Sequence, residues 1–205
     1  SPQSGHLRPA SLGSWVEAWP AYDDLLRTLL RACRAHHLRV HLAAGDLQII
    51  CPDGNHELDL NRRWARICAE EGGLEVVALA GDTNEYPINR YGGDSPQSIQ
   101  QMGRVLQVWR ETIPGVLTAQ GAGLSEEPDK LYEASTYGEV CISHTSRDPF
   151  ELCIKRTLGL VYWEGNYRFF PKPFKQGEPA GPGADSYAAL NDPSRITALY
   201  AMHAL

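Results

Sequence analysis

The sequence predicts an α/β protein built from consecutive strand–helix units around a parallel sheet. Two observations lead to this fold class. Short apolar runs with the length of strands alternate with longer amphipathic runs of helical spacing, through five cycles. No internal repeat, low-complexity tract or linker divides the 205 residues. We therefore expect a single domain covering 1–205.

The first half of the chain contains two predicted helices, each followed by a predicted strand. The first helix pattern, 21–37, precedes the strand-like run LRVHLAAG at 38–45. The second, 58–73, ends in a pair of glycines that act as a C-terminal stop, and the run LEVVALAG follows at 74–81. The apolar positions that recur at helical spacing in the first pattern are Leu25, Leu26, Leu29, Leu30 and Cys33.

The third helix pattern, 95–115, has the clearest start signal in the chain. Ser95 is a good N-cap, and Pro96 occupies the first helical position, where its missing N–H costs nothing. Its predicted inner face consists of Met102, Val105, Leu106 and Trp109. The later predicted elements are a strand at 115–123, a short helix at 126–138, a strand at 139–146, a helix at 149–165, a strand at 172–179 and a last helix after Asp192-Pro193.

Five such units fit either a doubly wound open sheet or an arc of a (β/α)8 barrel. A dinucleotide-binding sheet would carry a GxGxxG or GxxxxGK[ST] fingerprint, and neither motif occurs. Polar residues end every predicted strand, and in a barrel these ends converge on one site. These strand-end residues are Asp46, Gln48, Asn84, Glu85, Gln120, His144 and Glu178.

The pattern therefore favours a (β/α)8 barrel of the TIM type, of which strands three to seven are visible. A complete barrel of this type needs eight strands and about 250 residues. An open arc would expose two sheet edges. We therefore expect further chain segments or a partner chain to complete the barrel.

Composition excludes several classes of partner. The net charge of −6 and the pI near 5.6 argue against binding to nucleic acid or to an anionic membrane. No apolar segment approaches the roughly 20 residues that cross a bilayer, and the first ten residues lack the apolar core of a signal peptide. The sequence thus predicts a soluble protein and leaves its compartment unassigned.

The five cysteines lie in apolar patterns at wide spacing, which favours buried free thiols over a disulfide framework. A loose group of Cys33, His36, His37, His41, Cys51 and His56 contains no CxxC or HxxxH pair. We therefore predict no metal site and no cofactor.

The residues with the clearest chemical potential are two glutamates at strand ends. Asn84 and Glu85 follow the predicted strand 74–81, and Glu178 lies at the end of the predicted strand 172–179, three units later. Strands three apart in a barrel face each other across its mouth. Hydrolysis of a glycosidic bond requires such a pair, in which one carboxylic acid protonates the leaving oxygen and the other carboxylate attacks or activates water. The alternative is that Glu85 is an exposed loop acid and Glu178 a turn residue.

This arrangement resembles clan A of the glycoside hydrolases, the retaining (β/α)8 enzymes, from about residue 11 to the end of the chain. In that clan an Asn-Glu dipeptide ends strand four and a second Glu ends strand seven. The resemblance implies that Glu85 is the acid/base, Glu178 the nucleophile, and Asn84 the partner of the sugar 2-hydroxyl. It also implies a β-linked oligo- or polysaccharide as substrate.

Further residues are candidates for substrate binding. His144 precedes Glu178 by one strand and is a candidate to orient it, with a structural histidine as the alternative. Asp46 and Gln120 would line the site. Tyr86 and Trp15 are candidate sugar platforms, because aromatic faces match the C–H face of a pyranose.

Two other functions fit the same pattern. One is a non-catalytic carbohydrate-binding or structural barrel domain within a larger assembly. The other is an open sheet that binds a small metabolite where its strand order reverses. A separation of about 5 to 5.5 Å between the carboxyl groups of Glu85 and Glu178 would support a retaining enzyme over a non-catalytic barrel. An unclosed sheet in a complete chain would favour the open sheet that binds a metabolite.

Overall fold

The computed structural model describes five stretches of the chain: 21–43, 54–82, 96–121, 136–143 and 172–176. The helices of these stretches are α1 (Tyr22–Ala35), α2 (Gly54–Glu70) and α3 (Pro96–Thr112), with a 3-10 turn at Gly73–Glu75. The strands are β1 (Val40–Ala43), β2 (Val77–Asp82), β3 (Leu117–Gly121), β4 (Val140–Ser143) and β5 (Phe174–Gln176).

Every described strand pairing is parallel, in the order β1-β2-β3-β4-β5. The fold is therefore α/β with a parallel sheet, which confirms the predicted fold class at this level. The chain divides into two compact units, and the division falls within β3. The first unit is Ser1–Asn84 with Gln100–Thr118, and the second is Glu85–Ile99 with Ala119–Leu205.

The described elements follow the predicted order, but their ends differ. Pro96 is the first residue of α3, as predicted, whereas α2 begins at Gly54, four residues before the predicted start at 58. The start at 58 was predicted from the apolar pattern, and the residues 54–57 that precede it do not continue that pattern. The predicted helices at 149–165 and after Asp192-Pro193 lie outside the described residues, as does Ser95.

The inner face of α1 is narrower than the leucine pattern predicted. Leu26 and Leu30 are buried together with Tyr22, one turn earlier on the same row. Leu25 and Leu29, which recur at the same helical spacing, remain 38% and 39% exposed. Consecutive helical residues are turned by about 100°, so Leu25 and Leu29 lie to one side of the row formed by Tyr22, Leu26 and Leu30.

The core of the first unit lies between the helices and β2. All four residues of the predicted inner face of α3 are buried, and Trp64 of α2 packs beside Tyr22 with ring centroids 6.1 Å apart. Cys68 is also buried here, and desolvation raises the pKa of its thiol to about 12. Cys68 and Cys141 are thus buried free thiols, as predicted, while Cys33 is a half-buried free thiol.

Gly81 joins β2 to α3 through a close contact that only glycine allows. Its φ of +82° lies in the left-handed region that other residues rarely adopt. A Cβ at this position would collide with Leu106 Cδ2 and would lie 3.6 Å from Trp109 Cδ1. The end of β2 therefore packs its backbone directly against α3.

The second unit is described mainly at β4, β5 and the end of β3. Cys141 and Ile142 of β4 are fully buried, and the Cys141 N–H donates to the Pro173 carbonyl at 2.9 Å. The Lys172 ammonium donates to the carbonyls of Thr136 and Gly138 at 3.2 and 3.1 Å. Partial burial lowers the pKa of Lys172. These contacts join the starts of β4 and β5.

Within the described stretches, no helix combines the length and the apolar composition that a membrane span requires.

An ion-pair cluster holds α1 against the end of α2. Glu71 is largely buried and accepts from Arg31 Nε and Nη2 at 2.7 Å each and from Arg27 Nη1 at 3.0 Å. Arg27 Nη2 also donates to Glu70 at 2.6 Å. The hydrogen bonds from Arg31 lower the pKa of Glu71, burial opposes this effect, and those from Arg27 add to it.

The cluster predicts an acid-dependent loss of stability. Because the pKa of Glu71 is lower in the folded than in the unfolded chain, its stabilising contribution is complete above about pH 4.5. The contribution is lost as the pH falls through the lowered pKa. We expect Glu71→Gln to reduce the free energy of unfolding at pH 7 and to flatten its decline between pH 5 and 3, as measured by urea titration.

Glu75→Gln is the matched control for Glu71→Gln. Glu75 pairs with Arg34 at 2.6 Å, but both side chains are more than half exposed. Water screens such pairs, so their contribution is small. A pH profile of Glu71→Gln identical to that of the wild type would contradict the prediction.

Candidate functional site

In each of the two units, the candidate site residues come after the carboxyl ends of paired parallel strands. In the first unit, Ala43 at the end of β1 pairs with Asp82 at the end of β2, so the two strands end level. Asp46 follows the end of β1 by three residues, and Asn84 follows the end of β2 by two. This is the position at which α/β proteins bind ligands.

The second unit shows the same arrangement at β4 and β5. Ser143 and Gln176, the last residues of these strands, are paired with each other. His144 comes one residue after β4, and Glu178 comes two residues after β5. Within each unit, sequence-predicted site residues thus come after two paired strands that end level with each other.

Gln120 is the one predicted site residue that falls in the described stretches. It is the fourth residue of β3, and its backbone pairs with Cys141 of β4. The other predicted site residues lie outside the described residues: Glu85, Glu178, Asn84, His144, Asp46, Tyr86 and Trp15. Their roles remain predictions from the sequence.

α2 and α3 share a buried polar network that sequence reasoning missed. The Glu57 carboxylate is fully buried and accepts from Gln101 Nε2 at 3.0 Å. The amide oxygen of Gln101, Oε1, accepts a hydrogen bond from Arg104 Nη1 at 3.1 Å. A buried carboxylate with buried polar partners differs from the solvated acids that usually cover helix surfaces.

The same network continues one turn further along α2. Asn61 Nδ2 donates to the Glu57 carbonyl at 2.9 Å, and Asn61 Oδ1 accepts from the indole of Trp109 at 2.8 Å. The signal in the sequence was the helical row Glu57, Asn61, Trp64 and Cys68, in which two polar residues share a stripe with apolar ones. Polar residues on an apolar stripe indicate a buried hydrogen bond.

The described residues contain no group of three or more His, Cys, Asp or Glu side chains that is arranged to hold a metal ion. Of the six residues in the loose cysteine–histidine group noted in the sequence, Cys33, His36, His37 and His41 have described side chains.

Comparisons with protein-family models, with curated proteins and with solved structures find no match to this chain. Its proposed function therefore rests on its own residues and on the parallel α/β fold.

Proposed function

We propose that this chain is a retaining glycoside hydrolase that cleaves β-linked oligo- or polysaccharides with Glu85 and Glu178. One observation supports the proposal most directly. β2 and β5 are parallel strands that end at Asp82 and Gln176, and the two glutamates follow these ends by three and two residues. Parallel strands present their carboxyl ends at one edge of a sheet, which is where acid–base chemistry is placed in (β/α)8 enzymes.

Each residue has a defined task in the proposed reaction. The Glu178 carboxylate attacks the anomeric carbon while Glu85, as a carboxylic acid, protonates the departing glycosidic oxygen. Glu85 then removes a proton from water, which attacks the same carbon and releases Glu178. Two inversions at one carbon retain the β configuration. Asn84 donates to the sugar 2-hydroxyl, a hydrogen bond that strengthens in the transition state.

The proposal requires a curved sheet. Neighbouring strands lie about 4.8 Å apart, so two strands separated by two others are roughly 14 Å apart in a flat sheet. A nucleophile and an acid/base need carboxyl groups about 5 to 5.5 Å apart. Closure into a (β/α)8 barrel supplies the curvature, and we propose that further chain segments or a partner chain contribute the remaining strands. β3 and β4, which lie between β2 and β5, match the required spacing of three.

The test is hydrolysis of a panel of aryl β-glycosides and β-linked oligosaccharides by the native protein. Product configuration is followed by proton NMR before mutarotation. The expected first product is the β-anomer of the released sugar. Release of the α-anomer would contradict the two-glutamate displacement.

A non-catalytic carbohydrate-binding domain is the competing function, and the same panel distinguishes it. Such a domain would bind oligosaccharides in calorimetry without hydrolysing any of them. If the protein neither binds nor hydrolyses any of these sugars, the remaining alternative is an open α/β sheet that binds another small molecule.

A further inference from the structure

Two hydrogen bonds between buried side chains join α2 to α3 within the first unit. The Glu57 carboxylate accepts from the Gln101 amide at 3.0 Å, and the Asn61 amide oxygen accepts from the Trp109 indole at 2.8 Å. All four residues are buried. Burial of a polar group costs free energy unless the group finds a partner, so each of these residues depends on the position of the other helix.

The apolar residues of α3 do not by themselves select one packing of this helix on α2. A buried apolar side chain recurs every three or four residues, through Met102, Val105, Leu106, Trp109 and Ile113. A shift of α3 along its axis by one helical turn, about 5.4 Å, therefore replaces one apolar side chain by another. Because the apolar pattern and its volume are nearly conserved, apolar burial distinguishes the two packings only weakly.

The polar residues distinguish these packings much more strongly. Val105 lies one turn beyond Gln101, and Ile113 lies one turn beyond Trp109. A shift in one direction leaves Glu57 opposite Val105, whose side chain has no donor, and Asn61 opposite Ile113. A shift in the other direction places Val105 opposite Asn61. Each buried polar group that loses its partner disfavours the shifted packing by roughly 5- to 150-fold.

We propose that these two hydrogen bonds set the register of α3 on α2 and so act as a specificity device of the fold, while apolar burial supplies most of the stability. A single buried polar residue sets the register of paired helices in coiled coils in the same way. This role involves the first unit alone and does not depend on the proposed glycoside hydrolase function.

The two roles can be separated because buried polar groups can be replaced together. Exchange of a complete buried polar pair for apolar residues of similar volume is often neutral or stabilising, whereas loss of one partner is costly. The test variant of the full chain therefore replaces both pairs at once. Its substitutions are Glu57→Leu, Gln101→Leu, Asn61→Leu and Trp109→Phe. The first two nearly conserve volume, and the gain in volume at 61 offsets the loss at 109.

Methyl NMR of the quadruple variant reports how the two helices pack. Ile67 lies on α2 and Val105 on α3, and both are buried. We expect one set of resonances for each methyl group in the wild type and at least two sets in the quadruple variant, because no polar partner then disfavours the shifted packing. The unfolding equilibrium constant of the variant, measured in urea, should exceed that of the wild type by no more than about tenfold.

Two further variants are the controls. Gln107→Leu with Glu111→Leu removes a hydrogen bond between the same two residue types, of 2.7 Å, that is exposed and lies within α3. Glu57→Gln retains a side-chain oxygen that can accept from Gln101. Both controls should show a single set of resonances.

Three results would overturn the proposal. A single set of resonances in the quadruple variant would mean that the apolar residues select the register alone. An unfolded quadruple variant would mean that the network is a main source of stability. Two sets of resonances in the Gln107→Leu and Glu111→Leu control would mean that the heterogeneity does not come from the buried pairs.

Discussion

Glu178→Gln is expected to abolish hydrolysis of aryl β-glycosides. Glutamine keeps the size of the side chain but has no carboxylate to form the covalent intermediate. The rate loss should exceed the roughly 10²- to 10⁴-fold that acid–base catalysis supplies, and it should be the same for good and poor leaving groups. The measurement is kcat/KM over a series of aryl glycosides whose phenols differ in pKa.

Glu85→Gln should give a different pattern in the same series. A phenolate that leaves readily needs no protonation, so cleavage of the most activated glycosides should be impaired least in the first step. The loss should grow as the pKa of the phenol rises. With activated substrates the glycosyl-enzyme should accumulate, because removal of the base slows attack by water. The expected sign is a burst of phenol followed by a slow steady state.

Two controls make this comparison decisive. Glu75→Gln removes an exposed carboxylate of the Arg34 ion pair and should leave kcat/KM unchanged. Glu178→Gln should retain the Tm and the circular dichroism spectrum of the wild type, so that its loss of activity is not a loss of fold. Equal rates for Glu178→Gln and the wild type would remove Glu178 as the nucleophile.

Gly81→Ala is expected to destabilise the fold by roughly 2–5 kcal/mol. A left-handed backbone costs a residue with a Cβ about 1–2 kcal/mol. Insertion of a methyl group into a packed core adds about 1–3 kcal/mol. Both costs apply, since Gly81 has a φ of +82° and its Cβ would collide with the buried Leu106 side chain. The measurement is the free energy of unfolding in urea.

Gly73→Ala separates the two contributions. Gly73 also has a positive φ, of +54°, but the nearest heavy atom to a Cβ there is Ile113 Cγ2 at 3.7 Å, an ordinary contact. We expect this variant to lose about 1–2 kcal/mol, from the backbone alone. A Gly81→Ala variant no less stable than Gly73→Ala would show that the contact with Leu106 yields at no cost.

A double-mutant cycle tests the contact with Leu106 directly. Leu106→Ala removes the side chain that the new Cβ would meet, at the usual cost of a buried leucine, about 2–5 kcal/mol. The combined variant should be more stable than the sum of the two single losses predicts, by about 1–3 kcal/mol. If the losses in the free energy of unfolding of the two single variants simply add, the destabilisation by Gly81→Ala comes entirely from its backbone conformation and not from the contact with Leu106.

The parallel α/β arrangement could be predicted from the sequence because periodicity records burial. Leu26 and Leu30 on α1, and Met102 and Trp109 on α3, are buried at the spacing that their order indicates. The exact inner face could not be predicted. Leu25 and Leu29 have the same chemistry and spacing as their buried neighbours, and only packing against α2 and the sheet selects one row.

The candidate site and its surroundings also contain both kinds of residue, those that a local sequence pattern indicates and those that only packing reveals. Strand ends and the polar residues that follow them are local features, so Asn84, Glu85 and Glu178 could be proposed from the sequence, and their roles stay predictions because all three lie outside the described residues. Glu57 could not, although its position on an apolar stripe was visible. A glutamate in the first turn of a helix is ordinarily an exposed acid that favours the helix dipole. Its partner Gln101 lies 44 residues further along the chain, and the two meet only when α2 and α3 pack together.

The sequence by itself determined the order of strands and helices, the helix start at Pro96, and the residues that follow each strand. These depend on backbone geometry and on the contrast between apolar and polar side chains over a few residues. Only the tertiary structure decided that Gly81 meets Leu106, that Glu71 joins two arginines of α1, and that Glu57 is buried against α3. The physical reason is that such contacts depend on distances between residues far apart in the chain, which local patterns do not contain.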